Sequence, residues 1–128
     1  MKISSSTLIF VFAGLVMIGV IAFAVFKPGV PPGLYDSFAQ CITDTGAKMY
    51  GTYWCGHCNN QKEAFGDSFE YIDYVECAYL DREGQTPECS EAGITGYPTW
   101  VFGNGQRAEG EVKIEDLAKV TGCELPTE

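Results

Sequence analysis

Ala47-Lys48-Met49-Tyr50-Gly51-Thr52-Tyr53-Trp54-Cys55-Gly56-His57-Cys58 is the stretch that decides the fold. Ala47 to Tyr53 is short, largely apolar and rich in aromatic residues, the pattern of a buried strand. From His57 to Phe65 the pattern becomes helical, with Gly66 near its end. A strand therefore runs directly into a helix, and two cysteines separated by two residues sit at the junction. The unpaired N–H groups and dipole of a helix start stabilise a thiolate, so Cys55 is expected to be the attacking sulfur. Cys58, one turn further on, is placed to resolve the mixed disulfide. Gly56 lets a substrate backbone approach closely, and a protonated His57 would further favour the Cys55 thiolate. Trp54, next to the attacking cysteine, is expected to shape the rim of the site.

The same pair has a second reading as part of a zinc site. Zinc commonly takes two Cys-x-x-Cys pairs, or one pair and two histidines. The chain has one such pair and a single histidine, His57, which lies inside it. Cys77 and Cys89 would complete a ligand set only at irregular spacing. The reading preferred is thiol–disulfide exchange with no cofactor and no metal; the alternative is a metal-binding module built on the pair. An inert structural bridge is disfavoured, because so short a loop usually leaves the bond reducible.

Outward from the pair, the sequence divides into segments. After a short N-terminal segment, 1–7, Leu8 to Phe26 is an unbroken run of apolar residues and glycine, 19 positions long. As a helix it would span roughly 28 Å, near the hydrocarbon thickness of a bilayer. Lys2 and the small-x-small site Ala22-Phe23-Ala24 are compatible with a cleaved signal peptide, but the length favours an uncleaved signal anchor. Lys2 keeps the N-terminus inside, with Lys27 on the far flank opposing that bias. Either reading places the rest outside the cytoplasm, in a periplasmic, lumenal or extracellular space. Residues 27–33, Lys-Pro-Gly-Val-Pro-Pro-Gly, form a semi-rigid spacer. One domain occupies 34–123, and 124–128 is a tail.

Composition agrees with export. All six cysteines, Cys41, Cys55, Cys58, Cys77, Cys89 and Cys123, follow the apolar run, a density that suits an oxidising compartment. Net charge is −9, and residues 28–128 carry six Lys/Arg against 17 Asp/Glu. So acidic a surface repels phosphate backbones and excludes nucleic acid as a partner.

Within the domain, Leu34, Phe38, Ala39 and Ile42 share a helical face that Gly46 ends. Tyr71 to Cys77 reads as a second strand. A polar loop at Asp81–Gln85 precedes a short helix over Pro87–Ala92. Thr99–Phe102 and Gln106–Glu109 flank Gly103-Asn104-Gly105, a hairpin signal. The last helix, about Lys113 to Thr121, presents Ile114, Leu117, Ala118 and Thr121 on one face and stops at Gly122. The fold class is α/β, a small mixed sheet flanked by helices. Tyr50, Tyr53, Phe65, Phe69, Tyr71, Tyr74, Trp100 and Phe102 are expected to be mostly core. Cys77 and Cys89, 12 positions apart, suit either a structural bridge or a second redox pair; neither is read in a helix-start context, which favours the bridge. Cys41 and Cys123 pair by elimination.

Residues from Leu34 to Cys123 resemble a thioredoxin-like domain. Trp54-Cys55-Gly56-His57-Cys58 resembles the active-site sequence of protein disulfide isomerase domains, and Gly96-Tyr97-Pro98-Thr99 stands where the family carries a cis-proline beside the cysteines. Gly46-Ala47-Lys48-Met49-Tyr50-Gly51, Tyr74-Val75-Glu76-Cys77 and Gly96-Tyr97-Pro98-Thr99-Trp100 resemble the thioredoxin-like domain fused to bacterial and plant vitamin K epoxide reductase homologues. The resemblance implies Cys55 as nucleophile, Cys58 as resolving thiol, and a cis Pro98 that helps hold the substrate chain, with Tyr97 beside it as a supporting residue. The implied activity is disulfide oxidation or isomerisation on exported cysteine-containing proteins, with a vitamin K epoxide reductase-like quinone reductase acting in trans. A dedicated reductase, for example in cytochrome maturation, is the alternative. Two departures stand out. Met49 occupies the position where the family carries a buried acid, and no first strand is expected ahead of Leu34.

Overall fold

The computed structural model describes residues 5–25 and 29–127. The described part of the apolar run lies in one helix, α1 (Ser5–Val25), 21 residues long. Its described side chains run from Thr7 to Phe23 and are exposed throughout. Among the described residues, no helix is long and apolar enough to cross a membrane. The span read from the sequence continues through Ala24, Val25 and Phe26, whose side chains lie outside the described residues, as do Lys2 and Lys27.

The domain follows in the order α2 (Asp36–Asp44), β1 (Lys48–Gly51), α3 (Gly56–Phe65), a 3₁₀ turn (Gly66–Tyr71), β2 (Tyr74–Glu76), α4 (Pro87–Glu91), β3 (Thr99–Val101), β4 (Arg107–Glu109) and α5 (Ile114–Thr121). The four strands form one mixed sheet in the order β2-β1-β3-β4. β1 runs parallel to β2 and antiparallel to β3, and β3–β4 is the antiparallel hairpin. No strand precedes α2 among the described residues.

Period-two alternation gives the sheet two different faces. On one face Met49 and Trp100, register partners across β1 and β3, enter the main core with Phe38, Ile42, Phe65, Phe102, Leu117 and both cysteines of the pair. Here Phe38 stacks on Phe65 at 6.1 Å, and Trp100 stacks on Phe102 at 6.3 Å. On the other face Tyr50 and Val75 pack with Cys77, Cys89 and Ile94. α2 buries Phe38, Ala39 and Ile42. Leu34 lies ahead of that helix and is exposed. α5 ends at Gly122, whose φ of +74° is the left-handed conformation that a C-terminal glycine accepts without a Cβ penalty.

Three expectations change. Tyr71 belongs to the 3₁₀ turn, not to a strand, because Ser68 of that turn ties back to α2, accepting from the Tyr35 N–H (3.1 Å) and donating to Asp36 Oδ1 (2.7 Å). β1 stops at Gly51, earlier than Tyr53, because the chain must turn to present the cysteines. Tyr53 and Tyr71 are exposed instead of core. Tyr53 lies beyond the strand end, its hydroxyl donating to the Leu80 carbonyl and its ring facing Arg82.

Candidate active site

Cys55 is the N-cap of α3 and has extended backbone geometry. Its Sγ accepts from the Cys58 backbone N–H at 3.3 Å, satisfying one of the otherwise unpaired donors of the first helical turn. The Cys55 thiol also lies 3.6 Å from the Tyr97 carbonyl oxygen, to which it donates. The Tyr97–Pro98 peptide bond is cis, and Pro98 is buried against the pair's end of the sheet just before β3. The strand-to-helix junction and the segment ahead of β3 thus meet at one sulfur, 42 residues apart in sequence.

The two thiols differ in access. Cys55 keeps 8% of its surface exposed, and Cys58 keeps none. Burial, and then the interaction with Cys55, push the Cys58 thiol up to about 12, which the Thr52 backbone and Lys62 only partly oppose. An accessible sulfur at a helix start and a buried, protonated partner one turn away suit sequential roles: the first attacks, and the second closes the ring once engaged.

Around them, Trp54 is exposed at the rim and meets Tyr97 edge-on at 6.2 Å. Gly56 is exposed, and a Cβ there would meet nothing within 4 Å, so the approach to Cys55 is open on that side. His57 is largely exposed and its Nδ1 lies 2.5 Å from Glu111 Oε1. Asn60 donates to the same oxygen at 3.0 Å. These contacts, the His57 bond first, draw the Glu111 carboxyl below its usual range. Glu111 therefore anchors the His57 ring, a partner 54 residues away that no local pattern reveals.

Gln61 was equally invisible to local patterns. Fully inside the protein, it accepts from Trp100 Nε1 (3.4 Å) and from the Val112 N–H (2.7 Å) and donates to the Val112 carbonyl (3.0 Å). Those bonds fix α3 to the core and hold the 111–112 segment beside His57. A polar residue on the buried side of a helix that otherwise reads as amphipathic is the one sequence signal that would have flagged it.

Cys77 is bonded to Cys89 and Cys41 to Cys123, with Cα separations of 5.6 and 5.9 Å. Cys55 and Cys58 are the free cysteines. With their sulfurs already bonded, Cys77 and Cys89 are not available to join the pair in a tetrahedral metal set. Met49 is fully buried in the apolar cluster, so the strand leading to the pair brings no acid under it.

Residues 37–121 match the family model described as Thioredoxin. The chain is also 39% identical over 93 residues to the thiol-disulfide oxidoreductase LTO1 of Arabidopsis thaliana, a match covering 70% of this chain and 24% of that protein. It is 35% identical over 83 residues to the protein disulfide isomerase-like 2-1 of Oryza sativa subsp. japonica, covering 58% of this chain and 22% of the relative. The chain thus spans about a quarter of the length of the curated relatives it matches. Sheet order, the strand-to-helix placement of Cys55 and Cys58, and a family match over most of the domain agree, and the chain belongs to the thioredoxin family.

Proposed function

We propose that this chain is a membrane-tethered thiol–disulfide oxidoreductase that exchanges disulfides with exported cysteine-containing proteins through Cys55 and Cys58. The observation that carries this reading is the isolation of one reduced pair, at a helix start, in a domain whose other four cysteines are bridged. The two relatives, one named a thiol-disulfide oxidoreductase and the other a protein disulfide isomerase-like protein, support the same chemistry.

The working step is a pair of exchanges. A substrate thiolate attacks Cys55 Sγ of the Cys55–Cys58 disulfide, Cys58 leaves, and a mixed disulfide forms. A second substrate thiol then displaces Cys55, so the substrate loses two electrons and the pair gains them. Run backwards, Cys58 attacks the mixed disulfide and the substrate is reduced. Oxidation or isomerisation is the favoured direction, because the helix start stabilises the reduced, thiolate form and no acid under the pair opposes it. The Cys-Gly-His-Cys motif and the segments around Tyr50, Cys77 and Tyr97 support a place beside a vitamin K epoxide reductase-like quinone reductase, which would accept the electrons in trans.

The tether rests on the apolar run Leu8–Phe26, helical across its described part, and on the Pro/Gly spacer that follows. Equilibration of the chain with glutathione buffers tests the direction. The expected potential lies above about −270 mV and nearer roughly −180 mV, and His57→Pro is expected to lower it. A value at or below −270 mV assigns the chain to substrate reduction. A membrane-impermeant thiol reagent tests the location: it should label the reduced pair in intact cells, and labelling only after lysis would reverse the topology.

A further inference from the structure

Cys58 must give up a proton each time it attacks a mixed disulfide at Cys55 and must recover one each time it is expelled. Burial, the largest cause of the raised Cys58 thiol, persists in the mixed disulfide and keeps the thiolate scarce at neutral pH. A base within reach is therefore required, and β1 supplies none: Met49 is apolar, Tyr50 faces the opposite side of the sheet, and Gly51 has no side chain.

The neighbouring strand does. In the parallel register Met49 pairs with Tyr74 and Gly51 with Glu76, which puts Tyr74 and Glu76 on the face that carries Cys58. A Cβ built on Gly51 would stand 2.9 Å from Cys58 Sγ, 3.1 Å from Tyr74 Cε2 and 3.3 Å from Tyr74 Oη. The thiol and the phenol therefore both border the space that a side chain on Gly51 would fill, and the bare backbone of Gly51 leaves that space open between them. The phenol donates to Glu76 Oε2 at 2.8 Å. Glu76 is itself fixed, its Oε1 accepting from the Ala78 N–H (3.0 Å) and the Tyr53 N–H (3.2 Å). Lys62, one turn after Cys58 on α3, sets its Nζ 3.8 Å from the centre of the Tyr74 ring. Both side chains of the dyad are only partly buried, so the carboxylate can exchange its proton with solvent.

We propose that Tyr74 and Glu76 are the proton relay of the resolving cysteine, an inference that rests on the thiol–disulfide reading above. As Cys58 attacks Cys55 Sγ, its proton passes through a water to Tyr74 Oη, while the phenol proton passes to Glu76 Oε2. The Cys55–Cys58 bond forms, the bond from Cys55 to the substrate sulfur breaks, and the substrate leaves as a thiolate with the electron pair. In the opposite direction Glu76 returns the proton through Tyr74 to the departing Cys58 sulfur. Burial and the Glu76 carboxylate hold Tyr74 far above the usual phenol range, so it stays neutral and transmits the proton without storing charge. The titratable groups facing this arrangement are Cys55 and Lys62 from the α3 side and Tyr74 and Glu76 from β2.

Stopped-flow reaction of the reduced 128-residue chain with a large excess of DTNB separates the steps, because Cys55 and Cys58 are the free thiols. One equivalent of thionitrobenzoate is released as Cys55 attacks, at a rate proportional to DTNB. A second is released as Cys58 resolves the adduct, at a rate independent of DTNB. Glu76→Gln keeps an oxygen for both backbone N–H groups and an amide for the phenol, and Tyr74→Phe removes one hydroxyl, so both variants should fold. In each, the second release should slow by about 10- to 100-fold at pH 7 while the first changes less than twofold. The variants' second rate should then climb steeply with pH, up to about tenfold per unit, as expected for direct ionisation of a buried thiol, while the wild-type rate stays flatter. If both variants release the second equivalent as fast as the wild type at every pH, the relay is wrong. If the wild type releases no second equivalent, the thiol–disulfide reading itself fails.

Discussion

The Cys58 backbone N–H donates to Cys55 Sγ at 3.3 Å, so the helix that begins at the pair is capped by its own reactive sulfur. Any negative charge that develops on Cys55 meets a donor already in place, while burial opposes charge on Cys58.

That asymmetry predicts which variant accumulates covalent adducts. Cys58→Ser leaves the capped, accessible sulfur and removes the resolver, and should trap mixed disulfides with client proteins on non-reducing gels. Cys55→Ser leaves a fully buried thiol and should trap few or none. Equal trapping by the two would overturn the assignment of roles.

Alkali should weaken the fold through Cys58. Its thiol is raised from the usual 9.0 to about 12 in the folded state, so above pH 9 the unfolded chain has lost a proton that the folded chain still holds. The stability contributed by keeping the thiol neutral is fully present below pH 9 and declines as pH rises toward 12, by roughly 1 kcal/mol per pH unit. Urea denaturation of the reduced chain should show that slope, and Cys58→Ala should lose most of it. Parallel profiles would mean that Cys58 ionises in the folded state at ordinary pH.

The Cys77–Cys89 bridge closes a loop across a sequence separation of 12, and both of its residues are fully buried between the sheet and α4. Reductant that opens the active pair should leave it intact, as peptide mapping after alkylation would reveal. Replacing both cysteines with alanine should cost about 3 kcal/mol in denaturant-induced unfolding. Simultaneous opening of the two pairs would instead favour a relay of electrons between them.

Thr52, between β1 and the pair, has a buried hydroxyl oxygen without a hydrogen-bond partner among the described residues. Its backbone carbonyl is already engaged by the Cys55 N–H at 3.2 Å. Thr52→Val preserves shape and removes the unpaired oxygen, so it should stabilise the chain by about 1 kcal/mol and leave the first release of thionitrobenzoate unchanged. Destabilisation of similar size would show that the hydroxyl has a partner in solution.

The sequence was most informative where structure is local. The order of elements, the Phe38/Ala39/Ile42 face, the stop at Gly122 and the strand-to-helix junction at Cys55 all depend on residues within one or two turns of each other, where periodicity and capping rules apply. The 3₁₀ turn at Gly66–Tyr71 escaped because it is held by Ser68 bonding to Asp36, 32 positions earlier. Tyr53 and Tyr71 escaped because an aromatic residue at an element's end can point outward, and composition does not say which end turns away. At the site, the cysteines stand out as a motif, whereas Glu111, Gln61 and the Tyr74–Glu76 pair gain their meaning only from chain segments that fold against α3 and β1. The absence of an acid at Met49 is visible in the sequence; where the carboxylate went is visible only across the sheet.

The bridge between Cys41 in α2 and Cys123 just beyond α5 has a mechanical consequence. It joins points 82 residues apart and turns everything between them into a covalent ring. A pull applied to the segment before α2 and the segment after α5 is carried from sulfur to sulfur and bypasses the sheet. The strands and the cysteine pair would then feel little load, and stretching the oxidised chain would lengthen it only by the residues outside the ring. With that bridge reduced, the same force would unravel β1 and the active helix. Tension across the two ends of the domain would leave its reactive geometry intact for as long as those two sulfurs stay joined.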